Sequence, residues 1–598
     1  MSASNKKKLR KEQNAAALTA KQLQEQAEAK KLKAYTLTFA IVMVLVVAIV
    51  VGVIVTPLID GIVRRNTSAV TIGNHELSTA DLTYFYVDSI SEYQQNVYNQ
   101  YYGSFGDYWS IMLGFDATKP LNEQVYDQET GKTWAEFFMD NAIQSAKNTY
   151  SLYDDAIANK YQLSETEQKN LDSYFSNLDL YASYYGYSNA KSYLRSSYGN
   201  GVDVDDYEEY YKVCTVASSY LSKYSKDLEY KQDDYRAYEK DKFDDYSVVS
   251  YIYYTMKYNT YLGEGTKSED GKTTTWTDEE KAAAREAMKA DMEALLAAGV
   301  TDKESFDKAI QAWAINQPTT DEETSDSDKE SDKDTTSSTT TAKKPTATEV
   351  KDSFFGSISL QESVVNWLKE TTKVDNEIKS ARVPGELKVF EVITYAEHED
   401  KEHKHGGDDC TCAKTIDGYN IVLFTERDDN QMKMANVRHI LVKFQGGTKD
   451  KDGNVTYSQK EKDTAKAEAE KLLKQWQEGK ANEESFGELA NKESDDQNGK
   501  VTNGGMYEDV YPGQTVKPFE EWCFAEGRKA GDTGIIETEF GFHVMYYSST
   551  DELSYRDLMI ENDLRSDDTE KWRKDLAEKI SCTIINLEHM DYDLVLQK

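Results

Sequence analysis

The chain has 598 residues, and its 70 Lys and Arg against 106 Asp and Glu leave a net charge of −36. That length exceeds a single core and calls for several domains. The acidity excludes nucleic acid as a partner, because a phosphate backbone needs a basic face.

Residues 1–34 form a basic segment, with nine Lys and Arg against three acids up to Lys33. From 34 to 59 there is no charge, and Leu37 to Ile59 is almost wholly apolar. A bilayer-crossing helix needs about 20 such residues, so a transmembrane helix is expected over 35–59. The run is longer than a signal-peptide core and no small-x-small site follows it; a cleaved signal is the alternative. The basic flank stays cytoplasmic, which puts the bulk of the chain outside the cell membrane on a single-pass signal anchor. No cysteine near this helix offers a site for a lipid. Five cysteines in all exclude a disulfide scaffold, and the isolated Cys214, Cys523 and Cys582 read as small buried hydrophobes.

Ala69 to Asn74 reads as a short strand and turn. Ser78 and Asp81 then make a capping-box-like start, and Leu82, Tyr86, Ile90, Tyr93, Val97 and Tyr101 follow at helical spacing. Helical patterns continue with breaks near Gly103 to Gly114 and at Gly199-Asn200-Gly201, so a helical domain is expected over 66–245. Its tyrosines include Tyr84, Tyr86, Tyr101, Tyr102, Tyr184, Tyr185, Tyr210 and Tyr211. They either line a cradle for unfolded chains or form core and half-buried surface; an apolar ring with a polar tip suits both.

Residues 246–425 and 434–550 share a pattern in the same order. Val249-Ser250-Tyr251-Ile252-Tyr253-Tyr254 answers Val437-Arg438-His439-Ile440-Leu441-Val442. Gly299 with Glu304-Ser305-Phe306 answers Gly479 with Glu484-Ser485-Phe486 at identical spacing. Trp367 answers Trp522, and Asp417 to Val422 answers Phe540 to Met545. The common order predicts a tandem repeat. On this pairing the first copy has Tyr251 and Asn420 where the second has His439 and His543. The centre of the first copy is replaced by a Ser/Thr/Asp/Lys run, residues 318–348, too polar to pack and read as a disordered insert. The first copy is therefore expected to keep a fold and lack activity. In one of its loops crowd His398, His403, His405, Cys410 and Cys412. Imidazole and thiolate are metal ligands, but Cys-x-Cys lacks the usual spacing and no second cluster answers it. A solvated hairpin loop and a metal site both stay open.

The second copy opens and closes on apolar runs rich in Val, Ile and Tyr, which read as strands. As neighbours in one sheet they would set His439 beside His543. Five motifs occur in order: Arg438-His439-Ile440-Leu441-Val442; Ser485-Phe486-Gly487-Glu488-Leu489-Ala490; Ser494-Asp495-Asp496; Gly504-Gly505; and Pro518-Phe519-Glu520, followed by Thr538 to His543. With these motifs the stretch resembles the parvulin family of peptidyl-prolyl cis/trans isomerases. The resemblance implies an antiparallel sheet with helices and an enzyme that needs no cofactor. The reaction breaks no bond; amide resonance sets a barrier of ~18–20 kcal/mol, and a catalyst must bind the twisted amide better than either planar form.

By that resemblance, His439 and His543 are the paired histidines of the sheet floor and Asp496 is the acid beside the carbonyl. Thr538 is the hydroxyl of the last loop, and Phe519 is the aromatic wall of the proline pocket, which Tyr507, Thr515 and Phe540 complete. The family usually carries Met at the position of Thr515 and Leu at that of Tyr507. These departures make the pocket less apolar and keep two readings in view, an active isomerase and a catalytically inactive membrane-tethered holdase. No arginine cluster is present to bind a phosphorylated residue, so general X–Pro specificity is expected.

The helical opening resembles the N-terminal chaperone domain of secretion foldases of the SurA and PrsA type. In those foldases the segment after the isomerase module packs back onto the helical domain. Here that segment is 551–598, where Trp572, Leu576 and Ile580 stand four apart. The expected fold class is thus α+β: a transmembrane helix, a helical SurA-N-like domain and two tandem parvulin-like domains, the first degenerate. The implied partners are unfolded or partly folded exported polypeptides and the membrane. A homodimer through embracing helical arms stays open, and a metal sensor or carrier on the His398 to Cys412 loop is a third reading.

Overall fold

The computed structural model describes residues 3–52, 56–101, 112–116, 118–268, 273–314, 345–374, 377–395, 412–449, 453–496 and 501–592. The chain divides into two compact units, residues 1–229 with 565–598, and residues 230–564. His398, His403, His405 and Cys410 of the metal-site reading lie outside the described residues.

In the first unit, α1 (Ala3–Val50) carries a stretch, Lys31–Ile49, long and apolar enough to cross a membrane. The sequence carries the apolar run to Ile59; among the described residues α1 ends at Val50 and α2 spans Thr56–Asn66. Pro57 explains where α2 begins: proline lacks the N–H a continuing helix would need and restricts the residue before it, yet costs nothing in a first turn.

Strands β1 (Ser68–Ile72) and β2 (His75–Ser78) follow, and the segment Cys582–Ile584 pairs antiparallel with the other edge of β1, Val70 opposite Ile584. Helix α3 (Thr79–Tyr101) starts where the Ser78 N–H donates to Asp81 Oδ2 at 2.8 Å and the Asp81 N–H donates to Ser78 Oγ at 3.2 Å. It packs with α4 (Trp134–Ala158) and α5 (Val204–Asp227). Leu82, Tyr86 and Ile90 meet Phe138 and Ala142 in a core to which Ile580, Cys582 and Leu587 also pack. Trp572 stacks on Tyr224 with ring centroids 3.7 Å apart.

The tyrosines divide by position. Tyr84 and Tyr86 are fully buried, and Tyr210 stacks on Tyr84. Tyr184 and Tyr185 stand 83% and 63% exposed. Tyr102 and the side chain of Tyr101 lie outside the described residues. Of the isolated cysteines only Cys523 is buried; Cys214 and Cys582 are half-buried and pack against the core of the first unit.

The second unit holds two four-stranded antiparallel sheets. The first comprises β3 (Val248–Lys257), β4 (Thr348–Phe354), β5 (Leu387–Tyr395) and β6 (Lys414–Asp428), in spatial order β4-β3-β6-β5. Helices α6 (Asp278–Ala297) and α7 (Lys303–Ala314) cover one face, with Phe306 fully buried. Helix α8 (Glu362–Lys369) covers the other through Val364, Trp367 and Leu368. The polar insert ends earlier than its composition implies. Ala347 is buried with its N–H donating to Asp307 Oδ1 at 2.8 Å, and Thr348 already opens β4.

The second sheet comprises β7 (Lys433–Lys443), β8 (Met506–Val510), β9 (Thr533–Glu537) and β10 (Gly541–Ser554), in order β8-β7-β10-β9. Counted along the chain, both sheets run second, first, fourth, third. Helices α9 (Gln459–Glu478) and α10 (Glu483–Glu493) cover one face, with Phe486 fully buried. Helix α11 (Lys517–Cys523) covers the other through Phe519 and Cys523. Helix α12 (Tyr555–Lys579) follows directly on β10.

Register corrects one sequence pairing. Gly418 stands opposite Lys257, and Gly541 opposite Lys443. Both glycines press on a strand carbonyl: a Cβ would lie 2.4 Å from Met256 O at Gly418 and 2.1 Å from Val442 O at Gly541. Counting back four residues from each lysine puts Tyr253, and not Tyr251, at the strand position that His439 holds in the second sheet. The pairing by sequence slipped by two residues, a shift that keeps every side chain on its own face and so leaves the apolar alternation intact.

Candidate active site

The cleft lies on the α11 face of the second sheet. His439 on β7 stands opposite Met545, and His543 on β10 opposite Leu441, so the two histidines are diagonal neighbours on one face. Beyond Arg438 the strand β8 no longer pairs with β7, and the Ser494-Asp495-Asp496 segment takes its place. The Leu441 N–H donates to Ser494 Oγ at 3.1 Å, the Asp495 N–H to Leu441 O at 2.8 Å and the Lys443 N–H to Asp495 Oδ2 at 3.1 Å. These bonds carry Asp496 to the rim of the cleft. Arg438, one residue before His439 and so on the other face of the sheet, ties β7 to α10 and the Gly504 turn: its Nε donates to Glu483 at 2.9 Å and its Nη1 to Asn503 O and Gly504 O.

The polar floor is one chain of contacts. Thr538 Oγ1 and His543 Nε2 are 2.8 Å apart, the Nδ1 atoms of His543 and His439 are 2.9 Å apart, and His439 Nε2 stands 3.3 Å from Asp496 Oδ2. The last contact is too oblique for a hydrogen bond, so the buried Nε2 has no partner of its own. The Phe540 N–H donates to Thr538 Oγ1 at 3.2 Å, and Gly541 O stands 3.4 Å from the same hydroxyl; donor and acceptor roles along the chain depend on the histidine tautomers. The imidazole of His439 holds the Asp496 carboxyl below the usual carboxylate range, against burial. Tyr507 donates its hydroxyl to Asp496 Oδ2 at 3.2 Å; burial and that carboxylate push its phenol up.

The apolar wall is Phe519, 3% exposed, whose ring meets His439 and His543 edge-on at 5.4 and 5.7 Å. Thr515 lines the cleft with its hydroxyl buried and unpartnered, and Phe540 stands exposed at the mouth. All eight residues named from the sequence line or floor this cleft of about 430 Å³. Leu441, Lys443, Gln514 and Val516 line it too and were missed. Strand alternation could have found Leu441 and Lys443, which lie two and four residues past His439 on the same face. Nothing local marks Gln514 or Val516.

His543 carries a pH expectation. Burial, with His439 adding to it and Asp496 opposing, pushes its imidazole down to about 3, whereas in the unfolded chain it titrates near 6.5. Between those values the unfolded chain binds a proton that the folded one refuses. Its contribution to stability is therefore complete above about pH 6.5 and is lost as pH falls, at up to ~1.4 kcal/mol per unit. Urea midpoints of the wild type should drop more steeply from pH 7 to 4.5 than those of His543→Gln. Parallel slopes would contradict the assignment.

Residues 419–551 match the family described as the PPIC-type PPIASE domain. A curated relative, Foldase protein PrsA 3 of Bacillus cereus, is 31% identical over 141 residues, covering 22% of this chain and 49% of its own. The chain thus spans about half the length of the curated relative it matches. Two solved structures are also similar. A peptidylprolyl isomerase (PrsA) from Bacillus anthracis is 21% identical, with 25% of this chain and 59% of that chain covered and a TM-score of 0.15. A structure from the study of the SurA-like chaperones PEB4 and Cj1289 of Campylobacter jejuni is 22% identical, with 26% and 56% covered and a TM-score of 0.15.

Proposed function

We propose, from the premise that residues 419–551 are a parvulin-type peptidyl-prolyl isomerase domain, that this chain isomerises X–Pro bonds in exported polypeptides and holds those polypeptides unfolded or partly folded meanwhile. One observation carries the reading. An apolar wall of Phe519, Val516 and Leu441 and a polar floor running from Thr538 through both histidines to Asp496 meet in one half-open cleft. The wall takes the pyrrolidine ring and strips water from the amide. The floor offers the twisting amide two imidazoles and one carboxylate. A twisted amide has a more basic nitrogen and a less conjugated carbonyl, so groups that favour it over the planar forms lower the barrier. His439, Asp496, Thr538 and His543 are assigned the catalytic part, and Phe519, Tyr507, Thr515 and Phe540 the proline pocket. No group in this scheme needs a cofactor.

The first sheet is a degenerate copy in this reading. Identical strand order and the matching glycines support the relation. Tyr253, Asn420 and Val364 at the counterparts of His439, His543 and Phe519 support the loss of activity; Asn420 Oδ1 instead accepts from Thr255 at 2.7 Å. The helical first unit, with Cys582–Ile584 in its sheet, is assigned the chaperone part. The apolar stretch Lys31–Ile49 behind a basic segment supports a single-pass anchor with the folded units at the outer membrane face. The second reading, a holdase without catalysis, has one observation in its favour: the unpartnered Thr515 hydroxyl sits where an apolar ring would press.

The full chain in detergent, assayed on peptides that vary the residue before proline, separates the two. The expected result is acceleration across the series over an uncatalysed relaxation of tens to hundreds of seconds. A folded protein without acceleration would select the holdase. Activity surviving in His439→Ala/Phe519→Ala would refute the degenerate reading of the first sheet.

A further inference from the structure

Helix α2 is amphipathic in the inverse sense to a soluble surface helix. Its small and charged side is the one fastened to the folded unit. Gly61 abuts Gly201 so closely that a Cβ would lie 2.8 Å from Gly201 N. Arg64 is buried and bridges Asp60 and Asp591, at 3.0 and 3.4 Å. Arg65 donates to Gly201 O at 2.8 Å and pairs with Asp206 at 3.0 Å. Thr79 donates its hydroxyl to Arg64 O at 2.7 Å. Every charge of the helix is thus neutralised on the inner side or its flank. The outward side carries Leu58, Ile59 and Ile62, exposed by 50%, 56% and 63%. At 100° per residue these three span about a quarter turn of the surface.

What covers that face follows from its position in the chain. The described stretch long and apolar enough to cross a membrane ends at Ile49, seven residues before α2 begins at Thr56, and the residues between carry no charge. Seven residues reach roughly 25 Å at full extension, less than the ~30 Å thickness of a hydrocarbon core. The exposed face therefore starts within one tether's length of where the span would leave the bilayer. We propose that α2 lies in the membrane–water interface, with Leu58, Ile59 and Ile62 in the acyl–headgroup boundary of a phospholipid bilayer. It thereby docks the first unit onto the membrane surface instead of leaving it on a free tether. This rests on the reading of Lys31–Ile49 as a membrane span. Insertion is apolar, with no unpaired cation on α2 to select anionic lipid, so zwitterionic phosphatidylcholine suffices.

Among native residues before Thr67 there is no tryptophan, so a single introduced one reports its own depth. The full chain is reconstituted in phosphatidylcholine vesicles brominated either near the headgroup or near the chain end. Ile62→Trp and Val44→Trp are each compared with the wild type. For Ile62→Trp, the added emission is expected to be quenched about twofold more by headgroup-end bromine, and for Val44→Trp more by chain-end bromine. A quenched Val44→Trp with an unquenched Ile62→Trp would overturn the docking and leave the span intact. Quenching of Ile62→Trp chiefly by chain-end bromine would make α2 part of the span and also overturn the docking. If neither is quenched, the span reading fails and takes the proposal with it.

Discussion

Phe519→Ala is expected to lower kcat/KM on X–Pro peptides by about 10- to 100-fold, or ~1.4–2.7 kcal/mol. The ring closes one side of the cleft, lies against His439 and His543, and meets Tyr507 at 5.9 Å. Its removal takes apolar area from the substrate ring at roughly 25 cal/mol per Å² and admits water to the amide. Because planar and twisted amide both use the wall, much of the loss should fall in KM; the share that falls in kcat measures the desolvation of the transition state. Phe519 is also buried core between α11 and the sheet, so truncation lowers stability as well, by up to ~3–5 kcal/mol. Phe519→Leu keeps most of the volume and separates the two effects: it should fold near wild type and still lose part of kcat/KM. Unchanged kcat/KM in both variants would remove Phe519 from the pocket.

The largest stability effect is expected at Arg556, the first turn of α12. Its side chain is 0% exposed, an unusual state for an arginine. The guanidinium pairs with Glu239, donates to Phe243 O at 2.8 Å, Ser247 Oγ at 3.2 Å and Asp429 O at 3.3 Å, and lies 4.0 Å over the Phe243 ring. Arg556→Ala takes one donor from each of four acceptors; Ser247 Oγ keeps Arg427 and Phe243 O keeps the Ser247 hydroxyl, each at 3.2 Å, and Glu239, itself buried, keeps Arg236. Breaking a buried pair from one side costs ~3–5 kcal/mol; the second arginine argues for the lower end. The urea midpoint of the second unit, followed by hydrogen exchange in β6 and β10, should fall accordingly. Glu239→Gln added to Arg556→Ala should recover part of the loss, since coupled neighbours are not additive. A loss under about 1 kcal/mol, the range of a surface pair, would mean the site is solvated.

Much of the cleft could be read along the chain. Alternation put His439 and His543 on strands, and ordered motifs carried Asp496, Phe519 and Thr538. Leu441 obeys the same alternation and was overlooked because an apolar residue in a strand draws no notice. Arg556 opens an ordinary amphipathic helix and gives no local sign that it is buried. Its partners lie near residues 239–247 and 429, so only the packing of separate segments encloses it.

By itself the sequence determined the kind of each element and which face is apolar, because helical and strand periodicities are local. It determined the uncharged stretch after a basic segment and the chemical inventory of the cleft. Tertiary structure alone decided three further things. The two-residue register that puts Tyr253 at the strand position of His439 is invisible to a period-two pattern. The contact chain from Thr538 through both histidines to Asp496 depends on distances across two strands about a hundred residues apart in sequence. The outward turn of Leu58, Ile59 and Ile62 depends on Gly61 meeting Gly201. Each is a relation between segments distant in the chain, set by close packing and hydrogen-bond geometry in three dimensions, and no local pattern encodes it.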